Sequence, residues 1–246
     1  MKKYLALAYG VMCYIIFLGT LLYTIGFLGD FMVPKTINTG PNVPVSVAVV
    51  INTFLIGLFT LQHSGMARRA FKRQFTKIIP KPIERSTYVL FTCMILALLF
   101  WQWRPMPSVI WNVELPWMRW LLNGLFGAGW IVVLVSARLI SSGHLFGLKQ
   151  VKKFARGEEL ALPEFQTPGL YRYIRHPLMA GFLMVFWGTP TMTAGHLLFA
   201  LMTTGYVLVG IRFEERDLIR QFGMRYREYR ERVPRLIPLV MKSHES

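Results

Sequence analysis

Long apolar stretches alternate with short polar and basic loops along this chain of 246 residues. A helix needs about 20 mostly apolar residues to cross the hydrocarbon core of a bilayer. Four stretches come close to that length or exceed it, and two more follow each other near the C terminus. The six stretches are 4–28, 45–61, 87–103, 120–140, 178–192 and 195–213. The pattern predicts an all-α polytopic integral membrane protein with about six hydrophobic segments.

The last two stretches are separated by a short break near Thr193, which predicts a tight helical hairpin. Stretch 178–192 is short for a complete crossing, so the sequence leaves open whether both arms of the hairpin span the bilayer. No stretch has the alternation of a β-strand, and we predict none. We interpret the chain as one domain, 1–246, with four spans in 1–140 and a loop, the hairpin and an amphipathic C-terminal helix in 141–246.

Composition agrees with this prediction. Hydrophobic residues make up 54% of the chain and the mean hydropathy is positive, which excludes an ordinary soluble domain. The first stretch follows Lys2 and Lys3, as in a signal peptide. Its apolar run is much longer than the roughly 7–15 residues of a signal-peptide core, so we expect an uncleaved anchor.

The net charge of +16 comes mainly from alternate loops and the tail. Basic loops stay in the cytoplasm, so the N terminus, loops 64–86 and 141–177 and the tail are all predicted to be cytoplasmic. This bias accounts for the positive net charge, so we do not expect the protein to bind nucleic acid. We expect the lipid bilayer to be its partner. The loop residues concerned are Arg68, Arg69, Lys72, Arg73, Lys77, Lys81, Arg85, Lys149, Lys152, Lys153 and Arg156.

Neither a disulfide framework nor a metal site is indicated. Cys13 and Cys93 fall inside apolar stretches, and two isolated thiols there do not form a framework. The histidines lack the His-x-x-x-His or Cys-x-x-Cys spacing of a metal site, so we expect no metal. The histidines are His63, His144, His176, His196 and His244.

A first polar group ends the second stretch, in Leu-Gln-His-Ser-Gly-Met-Ala-Arg-Arg (61–69). Polar side chains at a span's end are often solvated by lipid headgroups, and for Gln62 and Ser64 this explanation and a role in a site both remain open. His63 adjoins a long apolar run, where an ionisable side chain usually faces a cavity. A neutral histidine there could accept a proton from a substrate.

A second group follows the fourth stretch, in Ser-Ser-Gly-His-Leu-Phe-Gly-Leu-Lys-Gln (141–150). Its two glycines permit a turn and a close approach of the backbone. His144 and Gln150 are the candidate site residues in this turn. The alternative for His144 is an ordinary histidine at the membrane interface.

A third group precedes the hairpin, in Pro-Gly-Leu-Tyr-Arg-Tyr-Ile-Arg-His-Pro (168–177). Pro177 disfavours helical geometry at His176 and suits the first turn of the next helix. The guanidinium of Arg175 and the free N–H groups of that turn both favour an anion such as a carboxylate. The alternative is an arginine that reaches lipid phosphate.

A fourth group follows the hairpin, where Glu214 and Glu215 lead into a helix with an apolar stripe and arginines on its other faces. Such a helix is typical of a membrane interface. Its acids could simply pair with neighbouring arginines. At the exit of the hairpin, however, one of these two carboxylates could accept both hydroxyls of a ribose. The stripe is Leu218, Phe222, Tyr226, Tyr229 and Val233.

The order of these motifs resembles the isoprenylcysteine carboxyl methyltransferase superfamily. The resemblance rests on Gly-Leu-Tyr-x-x-x-Arg-His-Pro (169–177), an apolar hairpin, the Glu-Glu pair, Phe-Gly-x-x-Tyr-x-x-Tyr (222–229) and Val-Pro-Arg-x-x-Pro (233–238). Three further motifs are similar to the methanethiol S-methyltransferases and their NnrU-like membrane relatives. They are Leu-Gln-His-Ser-x-Met-Ala-Arg (61–68), Glu-Arg-Ser-Thr-Tyr (84–88) and His-Leu-Phe-Gly-Leu-Lys-Gln (144–150).

The resemblance implies an enzyme that transfers a methyl group from S-adenosylmethionine, without a metal, to a small thiol such as methanethiol. It also implies a bacterial inner membrane, in which the charge bias described above places both termini in the cytoplasm. His63, His144 and Arg85 are expected on the catalytic side. The alternatives are carboxyl methylation of a prenylcysteine and a non-enzymatic role as a transporter or denitrification accessory factor. The expected cofactor-binding residues are Gln150, Leu170, Tyr171, Arg175, His176, Glu214 and Glu215.

Overall fold

Helices dominate the computed structural model, which describes residues 2–140, 145–158 and 164–238. Five helices are long and apolar enough to cross a membrane, and one shorter apolar helix precedes the last of them. The all-α membrane fold predicted from the sequence is confirmed. The described helices are α1 (Lys3–Gly29), α2 (Val45–Ala67), α3 (Arg69–Phe75), α4 (Lys81–Gln102), α5 (Pro116–Leu139), α6 (Leu148–Arg156), α7 (Pro177–Trp187), α8 (Ala194–Phe222) and α9 (Met224–Arg232), with a 3-10 turn at Gly169–Arg172.

One antiparallel strand pair corrects the prediction of no strand. β1 (Val109–Asn112) lies between α4 and α5, and β2 (Thr191–Thr193) lies between α7 and α8. Val109 pairs with Thr193 and Asn112 with Thr191, and the register is irregular in between. Segments of three and four residues are too short to display an alternating pattern, so only the tertiary fold creates this pairing.

The strand pair also decides how far the hairpin reaches. α7 has 11 residues, which corresponds to a rise of only about 16 Å. Residues 188–193 then continue as non-helical chain and end beside β1, at the same end of the bundle as the α4–α5 connection. The two arms of the hairpin therefore run between the same two ends of the bundle as α4 and α5.

The end of the bundle that carries the strands is closed by hydrogen bonds. The backbone N–H groups of Ala194 and Gly195 donate to the carbonyls of Ser108 and Met106, at 2.8 and 3.1 Å. The Thr193 hydroxyl donates to the side-chain oxygen of Asn38 at 2.7 Å. These bonds satisfy backbone groups where the chain leaves helical structure, which a nonpolar environment would otherwise penalise.

The opposite end carries the basic segments. The hydroxyls of Tyr9 and Thr87 lie 3.1 Å apart, which places the start of α1 beside the start of α4. Val151 of α6 is fully buried and packs against Gly10 of α1. α6 therefore lies across the beginning of α1, at the end of the bundle where the positive-inside bias predicts cytoplasm.

α5 and α7 pack at very close range. A β-carbon added at Gly129 would lie 2.8 Å from the carbonyl oxygen of Gly181, and one added at Gly181 would lie 2.8 Å from the carbonyl oxygen of Gly129. Small residues at such a crossing let two backbones approach in a membrane, where van der Waals contact replaces the hydrophobic driving force. The short α7 is thus held against α5 by its glycine.

We expect Gly129→Ala to lower the stability of the protein in detergent by about 1–3 kcal/mol, the usual cost of overpacking. The matched control is Gly127→Ala, two positions away on α5, where an added β-carbon meets no atom of the described residues within 4 Å. The control should be neutral or slightly stabilising, because alanine favours a helix more than glycine does. Thermal unfolding of both variants checks this, and equal midpoints would contradict the close crossing.

The C-terminal amphipathic helix is not one continuous helix, which corrects the prediction. α8 continues past 213 through the Glu-Glu pair and ends at Phe222, and α9 begins after Gly223. Gly223 has a φ of 60°, a conformation that glycine adopts without strain. The aromatic stripe then folds around Phe165, whose ring centroid lies 5.3–5.9 Å from those of Phe222, Tyr226 and Tyr229.

Candidate active site

A cluster of ionic side chains joins the loop before α7 to the last turns of α8. The Arg175 Nη2 lies 3.0 Å from Glu215 Oε1, and the His176 Nε2 lies 3.2 Å from the same oxygen. The other ring nitrogen of His176, Nδ1, lies 3.4 Å from Glu214 Oε2. Arg235 Nη2 lies 3.3 Å from Glu215 Oε2. The structure therefore brings together the four ionic residues predicted from the two motifs and adds Arg235.

The backbone holds this cluster in place. The N–H groups of Arg175 and His176 donate to the carbonyls of Pro234 and Arg235, at 2.9 and 3.1 Å. The Tyr229 hydroxyl donates to the carbonyl of Tyr171, and Arg175 Nη1 donates to the carbonyl of Arg230. The C-terminal segment thus pairs with the loop before α7.

The two glutamates differ in environment. The Glu215 side chain is 5% exposed and has three basic partners, whereas that of Glu214 is 47% exposed and pairs with the His176 ring. A buried carboxylate surrounded by basic groups holds a network together. Glu214 retains acceptor capacity for a ligand.

Three buried polar atoms around the cluster have no hydrogen-bond partner within the described residues. They are the hydroxyls of Tyr171 and Tyr226 and the Nε of Arg175. Burial raises the pKa of Tyr171, and the neighbouring Glu214 raises it further. Burial also raises the pKa of Tyr229 to about 12. Neutral hydroxyls and a guanidinium N–H that lack protein partners fit a polar ligand between them, because such groups are rarely left unsatisfied.

Leu170 and Gln150, the other two residues predicted to bind the cofactor, lie in different places. Leu170 is half-buried in the 3-10 turn, and its carbonyl accepts from the N–H groups of Tyr173 and Ile174, both at 3.1 Å. Gln150 lies on α6, which packs against α1 and α4.

A second cluster surrounds His63, near the end of α2. The Tyr88 hydroxyl lies 3.0 Å from His63 Nδ1, 3.1 Å from Nε2 and 3.2 Å from the His63 carbonyl oxygen. The Arg85 guanidinium carbon lies 4.6 Å from the centroid of the Tyr88 ring. The structure therefore brings His63 and Arg85 together through Tyr88, which the sequence analysis did not single out.

Aromatic rings enclose the His63 imidazole. Phe59 stacks on it with centroids 5.3 Å apart, and Tyr206 meets it edge-on at 6.5 Å. The Ser64 hydroxyl donates to that of Tyr206 at 3.1 Å. Tyr206 lies in the middle of an apolar stretch, and the sequence analysis did not name it as a site residue. Its hydroxyl, a polar group at the depth of His63, was the signal that could have identified it.

His144, the third predicted catalytic residue, lies outside the described residues. The residue that follows it, Leu145, accepts a hydrogen bond of 2.7 Å from Arg85 Nε through its carbonyl. Gly147 fits closely against Ser86, because an added β-carbon would lie 2.4 Å from the Ser86 hydroxyl oxygen. The turn after His144 is thus attached to the start of α4.

α8 connects the two clusters. Tyr206 and Glu214 are eight positions apart on this helix, which corresponds to about 12 Å along its axis. Between them Phe213 packs under Arg68, whose guanidinium carbon lies 4.9 Å from the ring centroid. Both clusters therefore lie towards the basic end of the bundle.

Within the part of the chain that the structure describes, no three His, Cys, Asp or Glu side chains are grouped so that they could hold a metal ion.

A family model described as NnrU protein matches residues 52–213. The chain belongs to the NnrU family. The resemblance to NnrU-like membrane proteins is thereby confirmed.

Several proteins with known names are similar to this chain. Methanethiol S-methyltransferase 1 of Bradyrhizobium diazoefficiens is 52% identical over 96% of this chain and 83% of its own length. Methanethiol S-methyltransferase of Mycobacterium tuberculosis is 50% identical over 97% of this chain and 98% of its own length. Nurim of Xenopus laevis is 30% identical over 72% of this chain and 64% of its own length. No solved structure matches the chain. The predicted enzyme class, methyltransferase, is confirmed.

Proposed function

We propose that this protein transfers the methyl group of S-adenosylmethionine to methanethiol and releases dimethyl sulfide. The observation that carries the proposal is the placement of two different clusters at one end of the bundle, one ionic and one centred on His63. The first suits a zwitterionic nucleoside, and the second suits a small apolar acid. Relatives about half identical over nearly the whole chain carry the name methanethiol S-methyltransferase, which favours this pair of ligands.

The ionic cluster has groups that match each part of the cofactor. Glu214, with its half-exposed carboxylate, would accept the ribose hydroxyls. The Nε of Arg175, which has no hydrogen-bond partner among the described residues, and the first turn of α7, which no described side chain caps, would hold the carboxylate. The Tyr171 and Tyr226 hydroxyls would complete the polar lining. Glu215 would keep Arg175 and His176 in position rather than contact the ligand.

When bound, S-adenosylmethionine would supply an electrophilic methyl group on a sulfonium. Thiols titrate near about 8.5 or above, so most of the substrate carries its proton at neutral pH. His63 would accept that proton, and the positive charge of Arg85 would favour the thiolate. The surrounding helices would then align the reacting atoms at about 3–3.5 Å and exclude water.

A substrate comparison tests the proposal. Detergent-purified protein with S-adenosylmethionine should convert methanethiol to dimethyl sulfide and should not methylate a farnesylcysteine carboxylate. Methylation of the carboxylate alone would favour the prenylcysteine alternative. Failure to bind S-adenosylhomocysteine in calorimetry would contradict methyl transfer and favour a non-enzymatic role.

We expect Arg175→Ala to weaken S-adenosylhomocysteine binding much more than Arg172→Ala. The Arg175 side chain is 8% exposed within the ionic cluster, whereas Arg172 is exposed on the 3-10 turn. Loss of a charged hydrogen bond costs about 1.5–3 kcal/mol, or roughly tenfold to a hundredfold in affinity. Calorimetry on both variants checks this. Equal losses would indicate general attraction to anionic lipid instead of a carboxylate site.

We also propose that the protein lies in a bacterial inner membrane with both termini in the cytoplasm. Reporter fusions after Ser246, which lies outside the described residues, and in loop 64–86 should report cytoplasm, because the basic segments cluster there. A fusion in loop 104–108, beside β1, is the matched control and should report the opposite side. A periplasmic signal from the tail or loop 64–86 would overturn this orientation.

A further inference from the structure

Ser136, near the end of α5, carries a hydroxyl that has no hydrogen-bond partner among the described residues. The residue is fully buried, and α5 is one of the helices long and apolar enough to cross a membrane. Threonine hydroxyls in other spans donate to the carbonyl oxygen four residues earlier in their own helix. The Ser136 hydroxyl does not, so this buried donor lacks the partner that such groups normally have. The threonines are Thr20, Thr24, Thr60, Thr87, Thr92 and Thr203.

The crossing of α5 and α7 places Ser136 at the level of the first turn of α7. An added β-carbon at Gly129 would lie 2.9 Å from the backbone nitrogen of Val185, and the two helices run in opposite directions. Ser136 follows Gly129 by seven residues, which is two turns later on the same face of α5. Leu178 precedes Val185 by the same number of residues on α7. Both positions therefore lie about 10 Å along the helix axis from the close contact, towards the same end of the bundle.

Backbone N–H groups at that level favour an anion. The first N–H groups of α7 belong to Leu178 and Met179, because Pro177 has none, and the first turn of a helix has no carbonyl partners within the helix. No described side chain caps this turn. The next N–H, that of Ala180, already donates to the His176 carbonyl at 3.0 Å. The free groups and the positive end of the helix dipole together attract a carboxylate.

Two other buried donors adjoin the end of α5. An added β-carbon at Gly169 would lie 2.8 Å from Leu139 Cδ1, so the last turn of α5 packs against the 3-10 turn that carries Tyr171. The Tyr171 hydroxyl and the Nε of Arg175 are buried and lack a partner among the described residues, as the Ser136 hydroxyl does. A carboxylate has about four acceptor positions and no donor. One anionic ligand therefore has the capacity to satisfy several of these donors at once.

We propose that the Ser136 hydroxyl is a further ligand of the cofactor and donates a hydrogen bond to the carboxylate of S-adenosylmethionine. The inference rests on the proposed methyl transfer and adds a residue from a span outside the sequence motifs. Protein atoms enclose the hydroxyl in this structure, so neighbouring side chains must change rotamer when the cofactor binds. The carboxylate is remote from the reacting methyl group. The hydroxyl thus contributes equally to the ground state and the transition state, and it affects affinity instead of the chemical step.

Ser136→Ala should weaken S-adenosylhomocysteine binding by about tenfold to a hundredfold, the scale of one hydrogen bond to a charged group. Its affinity for 5′-methylthioadenosine, which lacks the carboxylate, should stay at the wild-type value. The KM for S-adenosylmethionine should rise while kcat stays unchanged. Calorimetry, with competition for the weaker ligand, measures both affinities. Thr203→Val is the matched control, because its buried hydroxyl donates to the Phe199 carbonyl at 2.6 Å. The control should bind both ligands like the wild type.

Thermal unfolding separates a ligand contact from a structural role. Without ligand, Ser136→Ala should unfold at the wild-type temperature or higher, because the change removes a buried hydroxyl that has no protein partner. S-adenosylhomocysteine should then raise the unfolding temperature of the variant less than that of the wild type.

Three results would overturn the proposal. They are wild-type affinity of Ser136→Ala for S-adenosylhomocysteine, an equal loss of affinity for both ligands, and a ligand-free variant that is less stable than the wild type or does not fold. The last result would show that the hydroxyl has a structural partner. Wild-type protein that does not bind S-adenosylhomocysteine would instead refute the proposed function, which distinguishes the two failures.

Discussion

His63→Ala should reduce turnover by about 10²–10⁴-fold while S-adenosylhomocysteine affinity stays at the wild-type value. That range is usual for the loss of a general base. The His63 side chain contacts Tyr88, Phe59 and Tyr206 and lies in a cluster separate from the ionic residues, so its removal should leave cofactor binding intact. Steady-state assays of dimethyl sulfide formation and calorimetry measure the two effects.

The pH dependence of the His63→Ala variant provides a second check. Its turnover should rise as pH approaches the thiol pKa of about 8.5 or above, because thiolate then forms without a base. The wild-type rate should change less over the same interval. Thr60→Ala is the control, since that hydroxyl bonds to the Ile56 carbonyl one turn earlier on α2. If His63→Ala and its double variant with His144→Ala both retain wild-type turnover, thiolate forms in solution and the enzyme acts by positioning.

Glu215→Ala should destabilise the protein by about 3–5 kcal/mol and abolish cofactor binding with it. Removal of one member of a buried ion network leaves the other charges without compensation. Arg175, His176 and Arg235 all contact this carboxylate, whose side chain is 5% exposed. Thermal unfolding in detergent measures the stability, and calorimetry with S-adenosylhomocysteine measures the binding.

Glu214→Ala is the matched comparison at the next position. Its side chain is 47% exposed, so solvent screening reduces its effect on stability to near zero. It should weaken S-adenosylhomocysteine binding by about fivefold to tenfold, because one half-exposed acceptor is lost. If Glu214→Ala unfolds the protein and Glu215→Ala does not, the two roles are reversed. If both variants bind S-adenosylhomocysteine like the wild type, the two glutamates form an interfacial ion cluster and do not contribute to cofactor binding.

Several features of the site follow from the sequence because they depend on neighbours along the chain. Pro177 starts α7 and leaves His176 outside it, as the steric restriction before proline requires. The Glu-Glu pair follows the apolar run of α8 at a fixed helical spacing. The His63 side chain ends an apolar span, where a polar group indicates a buried partner. Local sequence therefore predicted the candidates on each element.

Contacts between distant elements were not predictable in the same way. Tyr88 lies within an apolar helix, and only the packing of α2 against α4 places its hydroxyl on His63. The sequence indicated no role for Arg235. Its side chain pairs with Glu215 because the C-terminal segment packs against the loop before α7. Glu214 and Glu215 likewise differ in burial. The sequence cannot show which of two adjacent identical residues is the buried one.

The sequence by itself determined the membrane class, the helical segments, the hairpin and the motifs that carry the chemistry, because apolar length, helical period and proline geometry act locally. Tertiary structure decided the rest. It paired β1 with β2, which brings residues 188–193 to the end of the bundle that carries the α4–α5 connection. It bent the C-terminal helix at Gly223 and assigned Glu215 to a buried network. Each of these depends on which surfaces meet, and van der Waals contact and desolvation are set only by the packed fold.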